Sequence, residues 1–222
     1  MTAAQYISIG ARNSLLSRAQ VEEVLAELRV VHPEVDFQPV WVETTGDKDL
    51  LTSLRTLEKT DFFTREIDAL QLAGGCRLSI HSAKDLPDPL PKGLVLAALT
   101  KGVDPSDTLV IHRGATLETL PLKATIGTSS CRRENNVRKV LPDCICVDIR
   151  GTIPARLQLL DERVVDGVVM AEAALIRLRL THRTRIPLPG EAAPLQGQLA
   201  VLACEGDQEM FHLFQAIDVR CR

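Results

Sequence analysis

Aromatic residues make up only 3% of this 222-residue sequence, too few for the stacking platforms on which single-stranded nucleic-acid binders lay successive bases. Positive charge is not in excess either: 26 Lys and Arg stand against 29 Asp and Glu, a net charge of −3. A broad basic surface is therefore excluded, no nucleic-acid partner is expected, and any positive patch must be local. No apolar run reaches the roughly 18 residues of a membrane span, and Met1-Thr2-Ala3-Ala4-Gln5 lacks the basic and apolar regions of a signal peptide. The expectation is a cytoplasmic protein without a membrane partner. The cysteines (Cys76, Cys131, Cys144, Cys146, Cys204 and Cys221) share no repeated spacing and read as reduced thiols. GxGxxG, GxSxG and Walker sequences are missing, which leaves nucleotide, hydrolase and phosphoryl-transfer readings unsupported. No metal site is expected: His32, His112, His182 and His212 have no ligand spacing, and Cys144 with Cys146 would share one side of a strand without further ligands.

What is present is an ordinary globular composition, 45% hydrophobic and 25% charged. Short β-branched runs alternate with amphipathic helices, the pattern of an α/β fold with substantial parallel sheet. Strands are expected at 6–9, 37–43, 77–81 and 94–99, then at 108–111, 124–126, 145–149, 165–170 and 199–203. In the first helix Val21, Val24, Leu25 and Leu28 recur at i, i+3, i+4 and i+7 until His32-Pro33 ends it. Further helices are expected at 62–72, 132–141, 153–162, 171–178 and from 207. Polar stretches with Gly and Pro near 101–107 and 187–194 suggest two crossings between two lobes, with a ligand in the cleft they enclose.

Two stretches could carry chemistry. Leu78-Ser79-Ile80-His81-Ser82-Ala83-Lys84-Asp85 is a buried-type strand with a polar tip, and ligands of open α/β sheets sit outside the carboxyl ends of strands. Lys84 and Asp85 could equally be a solvated loop pair contributing about 0 to 1 kcal/mol, and His81 either a proton shuttle or a structural histidine. In Gly127-Thr128-Ser129-Ser130-Cys131-Arg132-Arg133 a strand runs through hydroxyl residues into a helix whose N-terminus invites an anion. Arg132 and Arg133 oppose the helix dipole there, so each should have a partner off the helix, either a ligand or an Asp or Glu of the chain. Arg150, Arg156 and Arg177 recur at similar junctions, and Arg12 follows the first strand. Several arginines around one cleft would hold several carboxylates, at about 1.5 to 3 kcal/mol for each charge-assisted contact.

These residues resemble the hydroxymethylbilane synthase family, also called porphobilinogen deaminases. The matching stretches are Ile9-Gly10-Ala11-Arg12-Asn13-Ser14-Leu15-Leu16 with Gln20, His81-Ser82-Ala83-Lys84-Asp85-Leu86-Pro87, Asp104-Pro105-Ser106-Asp107, Gly127 through Arg133, Ile149-Arg150-Gly151 with Arg156, and Ala171 through Leu178, in the family's order. The resemblance implies two periplasmic-binding-protein-like lobes with an interdomain cleft: residues 1–100 plus 198–222 as one domain and 101–197 as the other. It implies a transferase of tetrapyrrole and haem biosynthesis that joins four porphobilinogen molecules head to tail, releasing ammonia, on a dipyrromethane cofactor. Asp85 matches the catalytic aspartate. Arg12, Lys84, Arg132, Arg133, Arg150, Arg156 and Arg177 match positions that bind acetate and propionate groups, with Ser14, Thr128, Ser129, Ser130 and Gln198 adding hydrogen bonds. A monomer is expected.

The sequence departs from the family in four respects. The match stops before the third domain, which carries the cysteine bonded to dipyrromethane, so no attachment cysteine is assigned. Gly74-Gly75-Cys76 resembles the attachment sequence but precedes His81-Ser82-Ala83-Lys84-Asp85. The mobile loop reads Leu57-Glu58-Lys59-Thr60-Asp61-Phe62-Phe63, with its lysine displaced by one position. Leucines replace two small glycines in Gln196-Gly197-Gln198-Leu199-Ala200-Val201-Leu202, which should narrow the cleft near Gln198. Three readings follow: a reduced synthase, a binding protein for a pyrrole or other polycarboxylate, and two domains of a longer enzyme.

Overall fold

A computed structural model describes residues 6–57 and 60–221, Thr56 by its backbone alone. Met1 to Gln5, read for a signal peptide, and Glu58 and Lys59 of the altered loop lie outside the described residues. The chain begins with β1 (Tyr6–Arg12), α1 (Leu15–Val31), β2 (Asp36–Val42), α2 (Thr45–Lys48), α3 (Arg65–Leu72), β3 (Leu78–Ser82) and β4 (Leu94–Leu99). There follow β5 (Asp107–Ile111), β6 (Thr125–Gly127), α4 (Cys131–Arg138), β7 (Ile145–Val147), α5 (Ile153–Asp161), β8 (Gly167–Ala171), α6 (Glu172–Arg177) and β9 (Arg185–Pro187). Last come β10 (Leu199–Cys204) and α7 (Gln208–Phe214).

The chain divides into two compact units, one of Met1–Lys48, Lys59–Gly102 and Gln198–Arg222, the other of Asp49–Glu58 and Val103–Gly197. Segment Asp49–Glu58 thus groups with the second unit, where the sequence reading gave it to the first. Its polar groups account for this: Ser53 Oγ donates to Asp148, Arg55 pairs with Glu134, and Arg150 Nη2 donates to the Asp49 carbonyl at 2.7 Å.

The first unit's sheet has the order β2-β1-β3-β10-β4, with β1 parallel to both neighbours and β10 antiparallel to β3 and β4. The second repeats the plan as β7-β6-β8-β5-β9, with β6 parallel to its neighbours and β5 antiparallel to β8 and β9. Strand β9 was not expected; its three residues pair with β5 at the sheet edge and end at Pro187, too short to show alternation. Helix α3 begins at Arg65 rather than 62, preceded by a turn in which Asp61 accepts from the Arg65 side chain at 2.8 Å.

Helix α1 starts because Ser14 caps it, its side chain accepting from Ser17 N at 3.1 Å. Its stripe of Val21, Val24, Leu25 and Leu28 is buried with Ile7 and Ile9 of β1, Val201 of β10 and Phe214 of α7. Gly197, just before β10, has φ +89°, and a Cβ there would lie 2.6 Å from the Asp104 carbonyl oxygen. We expect Gly197→Ala to destabilise by about 1 to 3 kcal/mol, read as a lower urea midpoint at an unchanged slope.

Candidate functional site

Strand β3 delivers its polar tip into a short 3-10 turn, Ala83–Asp85. Ala83 N donates to the Gln198 carbonyl at 3.0 Å, tying this turn to the start of β10, while Gln198 Nε2 donates to Thr100 O at 2.9 Å. Lys84 and Asp85 are both half-buried. Among the described residues no hydrogen bond or ion pair engages the Asp85 carboxylate. A half-buried carboxylate beyond the end of a strand, with its acceptor capacity unspent, is able to receive donors from a ligand.

Arg12 ends β1, and Asp47 holds its guanidinium by the Nε and Nη2 edge, with Nε to Oδ2 at 3.3 Å. The guanidinium also lies 4.4 Å from the centre of the Phe63 ring. Burial pushes the Asp47 carboxyl up, but the hydrogen bonds and charge of Arg12, with the Thr44 donors, outweigh it and hold it below the usual carboxylate range. Ser14 of the same loop spends its oxygen on the α1 cap.

His81 is buried in β3, its Nε2 4.0 Å from Asp68 Oδ1 on α3. Burial, then the charge of Arg12, push the imidazole down to about 4, so it is neutral near pH 7. Burial pushes the Asp68 carboxyl up. Between the ordinary histidine value of 6.5 and about 4, the unfolded chain takes up a proton at His81 that the native protein refuses. Acidification through that window therefore destabilises the fold, on the order of 3 kcal/mol from this group, partly offset by Asp68, which acts in the opposite sense. His81→Gln should flatten the fall in denaturation midpoint between pH 7 and 5.

In the second unit the stretch after β6 forms the other cluster. Thr128 N donates to Val147 O at 2.9 Å, and its buried Oγ1 has no partner among the described residues. Ser129 Oγ donates to Ile149 O, and Ser130 caps α4 by accepting from Arg133 N at 3.5 Å. Arg132 and Arg133 do find a partner off the helix: both reach Asp107, the first residue of β5. Arg133 also donates to Gln196 Oε1 at 3.4 Å, and Arg177 Nη2 donates to the adjacent Gly197 O at 2.8 Å, so Gln196-Gly197 links these two arginines. Arg150 reaches Asp49 O, and Arg156 Nε donates to Gly151 O at 2.9 Å. The structure thus gathers Thr128 through Arg133 at one loop-helix junction and joins Arg177 to it. Asp47, Asp107 and Gln196 were not among the expected site residues, although Asp107 lies in a stretch that matches the family.

Cys76 is sealed in the first unit, and burial pushes its thiol up to about 11, so Gly74-Gly75-Cys76 offers no accessible attachment point. Cys144 and Cys146 do share a side, with sulfurs 3.8 Å apart, and no group of three or more metal-ligating side chains occurs among the described residues. Leu199 and Leu202 of β10 are fully buried.

Among solved structures, the chain is similar to a reduced form of OxyR from N. meningitidis (TM-score 0.56, 12% identity, 96% of this chain and 94% of that one). It is also similar to full-length CbnR in complex with its target DNA (TM-score 0.59, 12% identity, 100% of this chain and 71% of that one). At such identity these show the fold alone, α/β and periplasmic-binding-protein-like. Among sequences, a probable porphobilinogen deaminase of Chlamydia muridarum is 41% identical over 198 residues, covering 89% of this chain and 81% of that protein. One from Chlamydia pneumoniae is 40% identical, covering 95% and 89%, and the porphobilinogen deaminase of Desulforudis audaxviator 38%, covering 96% and 70%. The family model "Porphobilinogen deaminase, dipyromethane cofactor binding domain" matches residues 7–212. With these matches over nearly its whole length, the chain belongs to the porphobilinogen deaminase family.

Proposed function

We propose that the protein is a hydroxymethylbilane synthase, a transferase of tetrapyrrole and haem biosynthesis that joins four porphobilinogen molecules head to tail with release of ammonia. The observation that carries this reading is the Asp85 carboxylate, half-buried beyond β3 and engaged by no hydrogen bond or ion pair among the described residues. Loss of ammonia from porphobilinogen leaves positive charge on the pyrrole. A fixed carboxylate that accepts the pyrrole N–H stabilises that charge, and preorganised groups of this kind contribute about 3 to 4 kcal/mol. Arg12, Lys84, Arg132, Arg133, Arg150, Arg156 and Arg177 would receive the acetate and propionate groups, with Ser14, Thr128, Ser129, Ser130 and Gln198 supporting them. Ser14, Ser130 and Gln198 would do so while holding an N-cap or a backbone carbonyl.

A dipyrromethane cofactor, the group named in the matching family model, carries ring N–H groups and carboxylates, for which a carboxylate such as Asp85 and guanidiniums such as those of each unit are chemically suited partners. When bound, that group supplies the primer to which porphobilinogen is added. For its setting we propose the cytoplasm, as a monomer without nucleic-acid or membrane partners, on the strength of the net charge of −3 and the free cysteines. The test is incubation of the purified protein with porphobilinogen. Consumption with ammonia release and a linear tetrapyrrole product is expected. Saturable binding by calorimetry without product would replace the synthase with a binding protein.

A further inference from the structure

Two arginines share one buried carboxylate in the second unit. Asp107 is 2% exposed at its side chain, against 26% for Arg132 and 13% for Arg133. Its Oδ1 accepts from Arg133 Nε at 2.9 Å and lies 2.8 Å from Arg133 Nη2, while Oδ2 accepts from Arg132 Nη1. Gln196 Nε2 holds the same carboxylate from the other side, donating to Oδ1 at 3.0 Å and to Pro105 O at 2.7 Å. Arg132 Nη1 also donates to Glu191 O at 2.6 Å, so its contacts fall on one nitrogen, and among the described residues its Nε and Nη2 make none. Two positive charges and one negative leave a single net charge, with an open guanidinium edge facing outward.

We propose that Asp107 is a positioning residue acting as a resident anion: it fixes Arg132 and Arg133 and competes with the carboxylates of a bound pyrrole chain, so the chain is held loosely enough to advance. The idea rests on the synthase reading. Each added porphobilinogen brings an acetate and a propionate, so an arginine set without internal counterions would grip the product harder at every addition. A carboxylate fixed by Gln196 and by β5 exchanges places with ligand carboxylates at little net gain, which flattens that rise. In the first unit Arg12 also has a carboxylate of the chain beside it, Asp47, there as a one-to-one pair.

The experiment is sulfate titration of the purified chain, the site being the one removed by Arg132→Leu, alongside porphobilinogen kinetics. Asp107→Asn should tighten sulfate binding by about five- to tenfold and lower KM while lowering kcat, because charge and not shape has been removed. Equal or weaker sulfate binding by folded D107N, with folding checked by circular dichroism, would overturn the resident-anion role and leave Asp107 a scaffold. Should D107N not fold, Asp107→Glu carries the test. Retaining the charge, it must bind sulfate within about twofold of the wild type, and a larger change in either direction rejects the proposal. Failure of the synthase reading shows separately, as a wild-type protein that leaves porphobilinogen unconsumed while the sulfate comparison still decides the role of Asp107.

Discussion

Asp85→Asn should lower kcat for porphobilinogen consumption by about 10² to 10³-fold, the usual loss when one preorganised group facing developing charge is removed. The substitution keeps size and shape and deletes only the negative charge. No hydrogen bond within the described residues depends on that carboxylate, so stability should change by less than about 0.5 kcal/mol. KM should move little, because the charge is needed where ammonia leaves and the carboxylates of the substrate are received elsewhere. Rates from initial consumption, with thermal melts of both proteins, check this. A variant that melts like the wild type and turns over within threefold of it would remove Asp85 from the chemistry.

Phe214→Ala should cost about 3 to 5 kcal/mol, the largest stability loss expected of any single truncation in the first unit. Phe214 is fully buried and meets Phe37 edge to face, with ring centres 6.3 Å apart, beside Val21, Leu25 and Met210. It sits on α7, in the segment that returns to the first unit, so the variant also tests whether Gln198–Arg222 is integral to that core. Against a total stability of about 5 to 15 kcal/mol the loss is severe, and the melting midpoint should fall by roughly 6 to 20 °C for a chain of this size. A fall of under about 2 °C would mean that α7 packs weakly on the sheet.

These predictions draw unequally on what the sequence makes visible. The buried stripe of α1 and the strand ending at the Lys84-Asp85 turn follow from local periodicity and from where apolar runs stop, and both elements are present. Two arginines placed against a helix dipole announced partners elsewhere, but not which ones. Asp107 lies 25 and 26 residues away and becomes their partner only because β5 is placed beside β8, a pairing no local pattern encodes. Likewise the depressed basicity of His81 comes from the closure of α3 over β3 and from Arg12 on the neighbouring strand, not from its flanking residues. Segment Asp49–Glu58 groups with the second unit through scattered polar side chains, Ser53 and Arg55 among them, and polar contacts leave no hydrophobic period for a sequence reading to detect.

The central claim is that the Asp85 carboxylate receives the pyrrole N–H of the reacting unit. A crystal structure of the protein with a bound pyrrole substrate or product tests this most directly. It should place the ring nitrogen at hydrogen-bond distance, about 2.7 to 3.1 Å, from Asp85, with ring carboxylates on the arginines named above. A pyrrole seated elsewhere, or ring nitrogens turned to water while Asp85 contacts nothing, would contradict it.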